Sequence, residues 1–199
     1  MEIIEKLYQA IVITSSLEWL AVITSVLYVV LMAYHRISAW FFAAIGSAIY
    51  IYICYEAHLF LDASLQFIYV LMAFYGWFSW KEQAQEEKLY RMQTKTILFF
   101  VSFGILASAV GGWIFSACTS QANPFLDSGI FVFSILATFM ASKSIVENWL
   151  FWIFIDLFAV YLFGSRALYL TAFLYLVYAL MAVFGYLKWK RQFNEQAHD

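Results

Sequence analysis

One proline, two cysteines and three histidines are all that this 199-residue chain holds of those residue types. The proline, Pro124, stands at the edge of an apolar segment, so no segment is broken by proline. Any pliancy has to come from glycines such as Gly46, Gly76, Gly164 and Gly185. Cys54 and Cys118 lie far apart with no CxxC spacing, which excludes a disulfide framework and a thiolate metal site. His35, His58 and His198 fall in connections or the tail and supply no ligand pattern, so neither a metal nor a cofactor is expected. Charge is scarce too, at 12% of residues with a net charge of -2, and the few basic residues sit beside apolar runs; a nucleic-acid partner is excluded. The last apolar segment has no lysine before Lys188, which removes the Schiff base of a retinal protein. HExxH, GxSxG and paired aspartates at matched depth on facing segments are all missing, which argues against an intramembrane hydrolase and against an enzyme.

What the chain does have is apolar bulk: 65% hydrophobic residues and a mean hydropathy of +0.79, against roughly 45 to 50% apolar in a soluble domain. The runs are apolar all round rather than striped, the pattern of spanning helices. Seven spans are expected, at Leu17–Tyr34, Ala39–Tyr55, Leu59–Trp80, Thr96–Cys118, Phe125–Ser142, Asn148–Phe163 and Ala167–Leu187. The first lacks the basic start and small-residue cleavage site of a secretory signal, so it reads as a retained span. The polar stretch Lys81–Lys95 reads as a solvated loop or a helix extension. With seven spans, one side carries only Lys6 and Arg166, whereas the other carries Arg36, Lys81, Lys88, Arg91, Lys95, Lys143, Lys188, Lys190 and Arg191. The excess of Lys and Arg marks the cytoplasmic side, so the N-terminus is expected outside and the C-terminus inside.

Sliding the sequence over itself by 109 positions pairs Trp40 with Trp149, Tyr52 with Tyr161, Tyr69 with Tyr178, Gly76 with Gly185, Trp80 with Trp189 and Lys81 with Lys190. Glu18 and Asp127, at the outer mouths of the first and fifth spans, match under the same shift. The shift predicts two three-helix repeats of parallel topology joined by one extra span: residues 1–94 as the first repeat with its cytoplasmic loop, 95–118 as the connecting helix, and 119–199 as the second repeat with the tail. Span four, with Gly104, Gly111 and Gly112 and no charge between Lys95 and Asp127, suits a closely packed connector. Parallel repeats are a transporter architecture, with substrate held near the midplane between the halves.

One charge sits where charges are expensive. From Asn148 at the cytoplasmic edge, a rise of about 1.5 Å per residue puts Asp156 roughly 12 Å deep in a core about 30 Å thick, at a cost of about 2.5 to 3.5 kcal/mol if ionised. No Lys or Arg lies at that depth. The carboxylate is then protonated, solvated in a cavity, or met by a cationic ligand; a hydrogen bond to Ser, Thr or Tyr of a neighbouring span is the structural alternative. Trp149, Trp152 and Asp156, at i, i+3 and i+7, share a helix face, so a flat cationic ring against the indoles would also reach the acid. Trp149 equally suits an interfacial aromatic belt. The matching face of the first half is Trp40, Ala43 and Ser47. Asp62, Gln66 and Tyr69 form a stripe on the third span, matched by Thr171, Tyr175 and Tyr178 on the seventh; Gln66 and Tyr69 can serve ligand hydroxyls or bond helix to helix. Glu18, Asp62 and Asp127 either concentrate cations at the outer mouth or form an ordinary solvated rim.

In "SLEWLAVITSVLYV", "LQFIYVLMAFYGWFSW" and above all "ENWLFWIFID", with its WxxW pair Trp149 and Trp152, the chain resembles the bacterial nicotinamide riboside transporters called PnuC, whose fold is similar to that of SWEET sugar transporters. The resemblance covers nearly the whole chain. It implies an all-α, 3+1+3 membrane protein of the inner membrane, a homotrimer, uptake by facilitated diffusion with alternating access, and functional coupling to a cytoplasmic kinase that phosphorylates the vitamin. Asp156 stands where relatives often have Asn, and Gly46 and Ala73 stand where they tend to have asparagines. The implied cargo is a cationic vitamin, nicotinamide riboside first and thiamine (the PnuT subgroup) second. A proton-coupled sugar transporter, with Asp156 as the titrating group, is a further alternative. The residues expected at the substrate are Asn148, Trp149, Trp152, Asp156, Trp40, Ser47, Gln66, Tyr69 and Tyr178.

Overall fold

A computed structural model describes residues 15–56, 60–83, 88–118, 123–166 and 168–196. The described residues form seven helices: α1 (Ser16–Ala33), α2 (Ser38–Glu56), α3 (Phe60–Gln83), α4 (Thr94–Cys118), α5 (Pro124–Ser142), α6 (Asn148–Ser165) and α7 (Tyr169–Gln196). Six of them are long and apolar enough to cross a membrane; α3 carries Asp62 and Gln66 in its first half and Lys81 and Glu82 at its end. The expected spans agree with the helices to within a few residues, except that α7 runs on past Leu187 to Gln196. Leu59 and Ala167, the expected starts of two spans, lie outside the described residues, as do Lys6, His58 and His198.

The helix ends follow from short polar signals. Glu18 N–H donates to Ser15 Oγ (3.2 Å) and Ser15 N–H donates to Glu18 Oε2 (2.6 Å), a reciprocal cap on α1. Pro124 occupies the first turn of α5, where its missing N–H goes unnoticed. The C-termini of α1 and α5 close identically. His35 (φ 52°) and Ser144 (φ 55°) take the left-handed conformation. His35 N–H donates to Met32 O and Arg36 N–H to Leu31 O; in the same way Ser144 N–H donates to Ala141 O and Ile145 N–H to Met140 O. Every partner in the second set lies 109 positions after its counterpart in the first.

Helix α2 packs against both α1 and α3, and α6 against both α5 and α7. The two groups touch through α3 with α5 and α7 with α1, pairs that exchange under the 109 shift, while α4 packs on α5. Glycine makes the α4 contact close: a methyl on Gly104 would stand 2.5 Å from the Phe133 ring, and methyls on Gly111 and Gly112 would strike Ser128 and Phe125. The outward faces carry large apolar side chains, among them Phe99, Leu106 and Trp113 of α4 and Phe154, Phe158 and Tyr161 of α6. In a bilayer these meet lipid.

The reading of Lys81–Lys95 as a solvated loop or helix extension needs correcting. Helix α3 does extend to Gln83, but residues 88–93 form a docked strap. Tyr90 makes an isolated bridge to Ile145, with Tyr90 N–H donating to Ser144 O (3.0 Å) and Val146 N–H to Tyr90 O (2.9 Å). Leu89 is buried beneath it. Composition concealed this because the strap is docked largely through its backbone groups, which any sequence supplies.

Candidate functional site

Asp156 lies near the middle of α6 and is 3% exposed, turned into the bundle and away from the lipid-facing Phe154, Leu157 and Phe158. Among the described residues no hydrogen bond or ion pair reaches its carboxylate. The groups close enough for its charge to be felt are Tyr69 on α3 and Tyr175 and Tyr178 on α7. Tyr69 is paired with Ser134 of α5, and Tyr178 with Ser25 of α1. These two pairs interchange under the 109 shift, so each half lends a tyrosine to a serine of the other. Tyr175 stacks on Phe163 (5.2 Å, 7°) and meets Tyr178 edge-on. Gln66, one turn before Tyr69, is half-buried, and Ser47 of α2 is buried. The acid is thus within electrostatic reach of hydroxyls carried by α3 and α7. Trp152 is half-buried one turn before it, where the two buried apolar clusters of the molecule meet.

Trp149 and Trp40 are placed differently from Trp152. They are 2% and 1% exposed and belong to one buried cluster with Trp80 and Trp189 at the basic end of the bundle. Trp149 meets Trp189 edge-on (5.5 Å, 89°), and Trp40 meets Trp80 likewise (5.5 Å, 84°). One face of each indole is occupied by a glycine backbone, Gly185 for Trp149 and Gly76 for Trp40. A ring can stack on either only after those helices part. Asn148 is fully buried; its Nδ2 donates to Ile145 O (2.6 Å), so it secures the start of α6 rather than joining Asp156.

At the opposite end, Arg166 Nη2 and Asp127 Oδ2 form a 2.7 Å ion pair, and Asp62, exposed, lies within reach of both charges. Glu18 is engaged in its helix cap.

Sequence reasoning passed over four residues that join the two groups. Trp80 Nε1–H donates to Ala141 O and Trp189 Nε1–H to Met32 O, each at 3.2 Å. His35 Nε2 and Ser144 Oγ stand 3.0 Å apart. It also passed over Glu147, 2% exposed, which accepts from Arg91 Nε (2.9 Å) and Met92 N–H (3.0 Å). The repeat was the signal available for the first four, since the shift that pairs Trp80 with Trp189 also pairs His35 with Ser144.

The described residues form seven helices with an apolar exterior, six of them long and apolar enough to cross a membrane, which defines a multi-pass membrane protein with a buried acid in its interior. The chain belongs to the nicotinamide mononucleotide transporter family, whose model it matches over residues 15–191. It is 24% identical to the nicotinamide riboside transporter PnuC of Escherichia coli (strain K12), covering 92% of this chain and 88% of that protein. It is also 24% identical, over 72% of this chain and 70% of the relative, to the riboflavin/roseoflavin transporter RibM of Streptomyces davaonensis. Among solved structures, that of the vitamin B3 transporter PnuC superposes with a TM-score of 0.77 at 23% identity, covering 97% of this chain and 90% of that one. The fold is shared.

Proposed function

We propose that this protein is a vitamin transporter of the inner membrane that takes up nicotinamide riboside by facilitated diffusion with alternating access. The observation that carries the reading is Asp156: a buried carboxylate, unpaired among the described residues, beside the hydroxyls of α3 and α7 and one turn from Trp152. A carboxyl buried with no cationic side chain beside it among the described residues is matched by a ligand that brings a permanent positive charge on a flat ring. In this reading Trp152 stacks on the ring, Asp156 offsets its charge, and Gln66, Tyr69, Tyr178 and Ser47 receive the polar remainder. Trp149 and Trp40 join when the helices carrying Gly185 and Gly76 move. Asn148 holds α6 in place, and Asp62, beside an Asp127 already held by Arg166, leaves the outer mouth an acidic excess that draws cations.

The architecture behind it is a 3+1+3 parallel repeat of SWEET type, with α1–α3 and α5–α7 as the repeats, α3 as the seventh span, and α4 as connector. Support comes from the matching C-caps, the exchanged Tyr–Ser pairs and the glycine-lined α4 contact. The N-terminus is outside and the C-terminus inside, which puts Arg36, Lys143, Lys188, Lys190 and Arg191 in the cytoplasm. A homotrimer, and a cytoplasmic kinase that traps the vitamin, complete the proposal.

Thiamine is the second cargo, favoured by the same observation, because it too carries a permanent cationic ring. Binding of nicotinamide riboside, thiamine and riboflavin to one purified sample, followed by counterflow in proteoliposomes, tests the reading. Binding and exchange of nicotinamide riboside support it; thiamine alone moves the cargo within the class; riboflavin alone, or a proton gradient driving uptake of a neutral sugar, overturns it.

A further inference from the structure

For one end of such a molecule to open, whatever crosses between its two three-helix groups at that end has to separate. At the basic end three hydrogen-bond contacts cross among the helix ends of the described residues, beside Lys143 over the Tyr75 ring (4.8 Å) and Lys188 over the Tyr34 ring (3.1 Å), and the three form a closed set under the 109 shift. Trp80 of α3 holds the carbonyl of Ala141 at the end of α5; Trp189 of α7 holds the carbonyl of Met32 at the end of α1; and His35 meets Ser144 between them. Both carbonyls belong to last turns that lack onward helical partners, so each can accept an indole N–H beside its capping bond. Both meeting residues are held in a left-handed conformation that non-glycine residues seldom adopt, which fixes where their side chains project. At the other end, the described cap Ser15–Glu18 and ion pair Arg166–Asp127 each stay within one group. Among the described residues, then, the hydrogen bonds that join the two groups at an end of the bundle are at the basic end, while the Tyr69–Ser134 and Tyr178–Ser25 pairs join them nearer mid-helix.

The set at the basic end carries an addition on one side. The strap 88–93 pairs with the α5–α6 turn at Ser144 and Val146, buries Leu89, and passes Arg91 and the Met92 N–H to Glu147, the residue that starts α6. Leu89 N–H also donates to Gln196 Oε1 at the end of α7. The strap follows α3 in the chain, so these contacts tie the end of the first group to the turn bearing Ser144 and to the tail of the helix bearing Trp189, both in the second group. Glu147 is the one group in this arrangement whose release is penalised beyond a lost contact, because a buried carboxylate without its guanidinium keeps its desolvation.

We propose that the contacts among Trp80, Trp189, His35 and Ser144 are the gate at the cytoplasmic end, and that the strap 88–93, acting through Arg91 and Glu147, is the lock that keeps it shut. The proposal rests on the alternating-access reading above. It can nevertheless be tested without any substrate.

The probe is a membrane-impermeant maleimide applied to inside-out vesicles containing a Cys54→Ala, Cys118→Ala, Ser47→Cys chain. Ser47 lies on α2, about 13 Å along the helix from its start at the basic end, behind the gate. Trp189→Phe removes the indole N–H and keeps an aromatic ring; Arg91→Ala removes the lock. Trp189→Phe should speed labelling of the cysteine at position 47 by roughly fivefold, the change in open population that one neutral hydrogen bond supplies; Arg91→Ala, which removes a hydrogen bond between charged groups, should speed it by roughly tenfold or more, and the two combined by more. Equal labelling rates in all folded variants overturn the proposal. Should Trp189→Phe fail to fold, Glu147→Gln carries the same test with the same threshold. Nicotinamide riboside and thiamine binding is measured on the same gate and strap variants with Ser47 kept: binding retained with labelling unchanged sinks the gate alone, while faster labelling with neither vitamin bound sinks the cargo reading alone.

Discussion

Replacing Gly185 by alanine adds one methyl where the repeat leaves no room for it. The new Cβ would stand 2.6 Å from Cε2 and 2.7 Å from Cδ2 and Cζ2 of Trp149, against an ordinary carbon–carbon separation of about 3.5 to 4.0 Å. The indole cannot retreat: it is 2% exposed, and Trp189 stands edge-on against it. Overpacking of this kind costs about 1 to 3 kcal/mol or more, while the helix gains about 1 kcal/mol when glycine becomes alanine. We expect a net loss of roughly 2 kcal/mol, a fall of about 4 to 8 °C in melting temperature for a chain of this size. Gly76→Ala, against Trp40, should behave alike because the geometry repeats. Gly129 and Gly164, each with open space around the added methyl, are the controls, and alanine there should leave stability unchanged or raise it. Detergent-solubilised melting of the four variants decides the matter. Equal melting temperatures for Gly185→Ala and Gly129→Ala would refute the packing argument.

Further outcomes follow from the polar contacts. Burial pushes the His35 imidazole down to about 4, so the fold holds it neutral while the unfolded chain binds a proton near 6.5. Its contribution is complete above pH 6.5 and lost as pH falls toward 4, by roughly 3 kcal/mol at most; His35→Asn, which tolerates the left-handed backbone, should flatten the pH dependence of melting across that window. Arg91→Ala strips Glu147 of its cation but leaves the Met92 N–H in place; a loss of about 1 to 3 kcal/mol is expected, and Glu147→Gln in that background should recover part of it by removing the buried charge. The Arg166–Asp127 pair is partly exposed, with side chains 28% and 13% accessible, so Asp127→Asn should change stability by less than about 1 kcal/mol, checked by melting at low and high salt.

Much of the fold was legible because lipid imposes one rule on every span. A run of apolar residues long enough to cross must be helical, which is why α4, α5 and α6 begin and end within two residues of their expected limits. The repeat was legible through the residues least open to chance, Trp, Tyr and Gly. Facing was not legible. On α6, Trp149, Ile155, Ala159 and Leu162 are buried while Phe154, Leu157, Phe158 and Tyr161 are exposed, and both sets are equally apolar. Hydropathy cannot rank a helix-facing tryptophan against a cleft-facing one, so it could not show that Trp149 and Trp40 pack against glycine backbone while Trp152 is half-buried. Asp156 escaped this ambiguity because a carboxylate in a span has to turn away from lipid. The strap and its Arg91–Glu147 pair were missed for the opposite reason: a polar sequence says nothing about which of its backbone groups find partners.

The central claim is that Asp156 balances a cationic ring, and Asp156→Asn tests it while preserving shape. At about 5 Å and an effective dielectric near 20, the carboxylate is worth about 3 kcal/mol to such a ring, part of which desolvation offsets. Titration calorimetry on the purified protein should therefore show affinity for nicotinamide riboside falling about 10- to 100-fold in Asp156→Asn. Unchanged affinity in a folded variant would contradict the account.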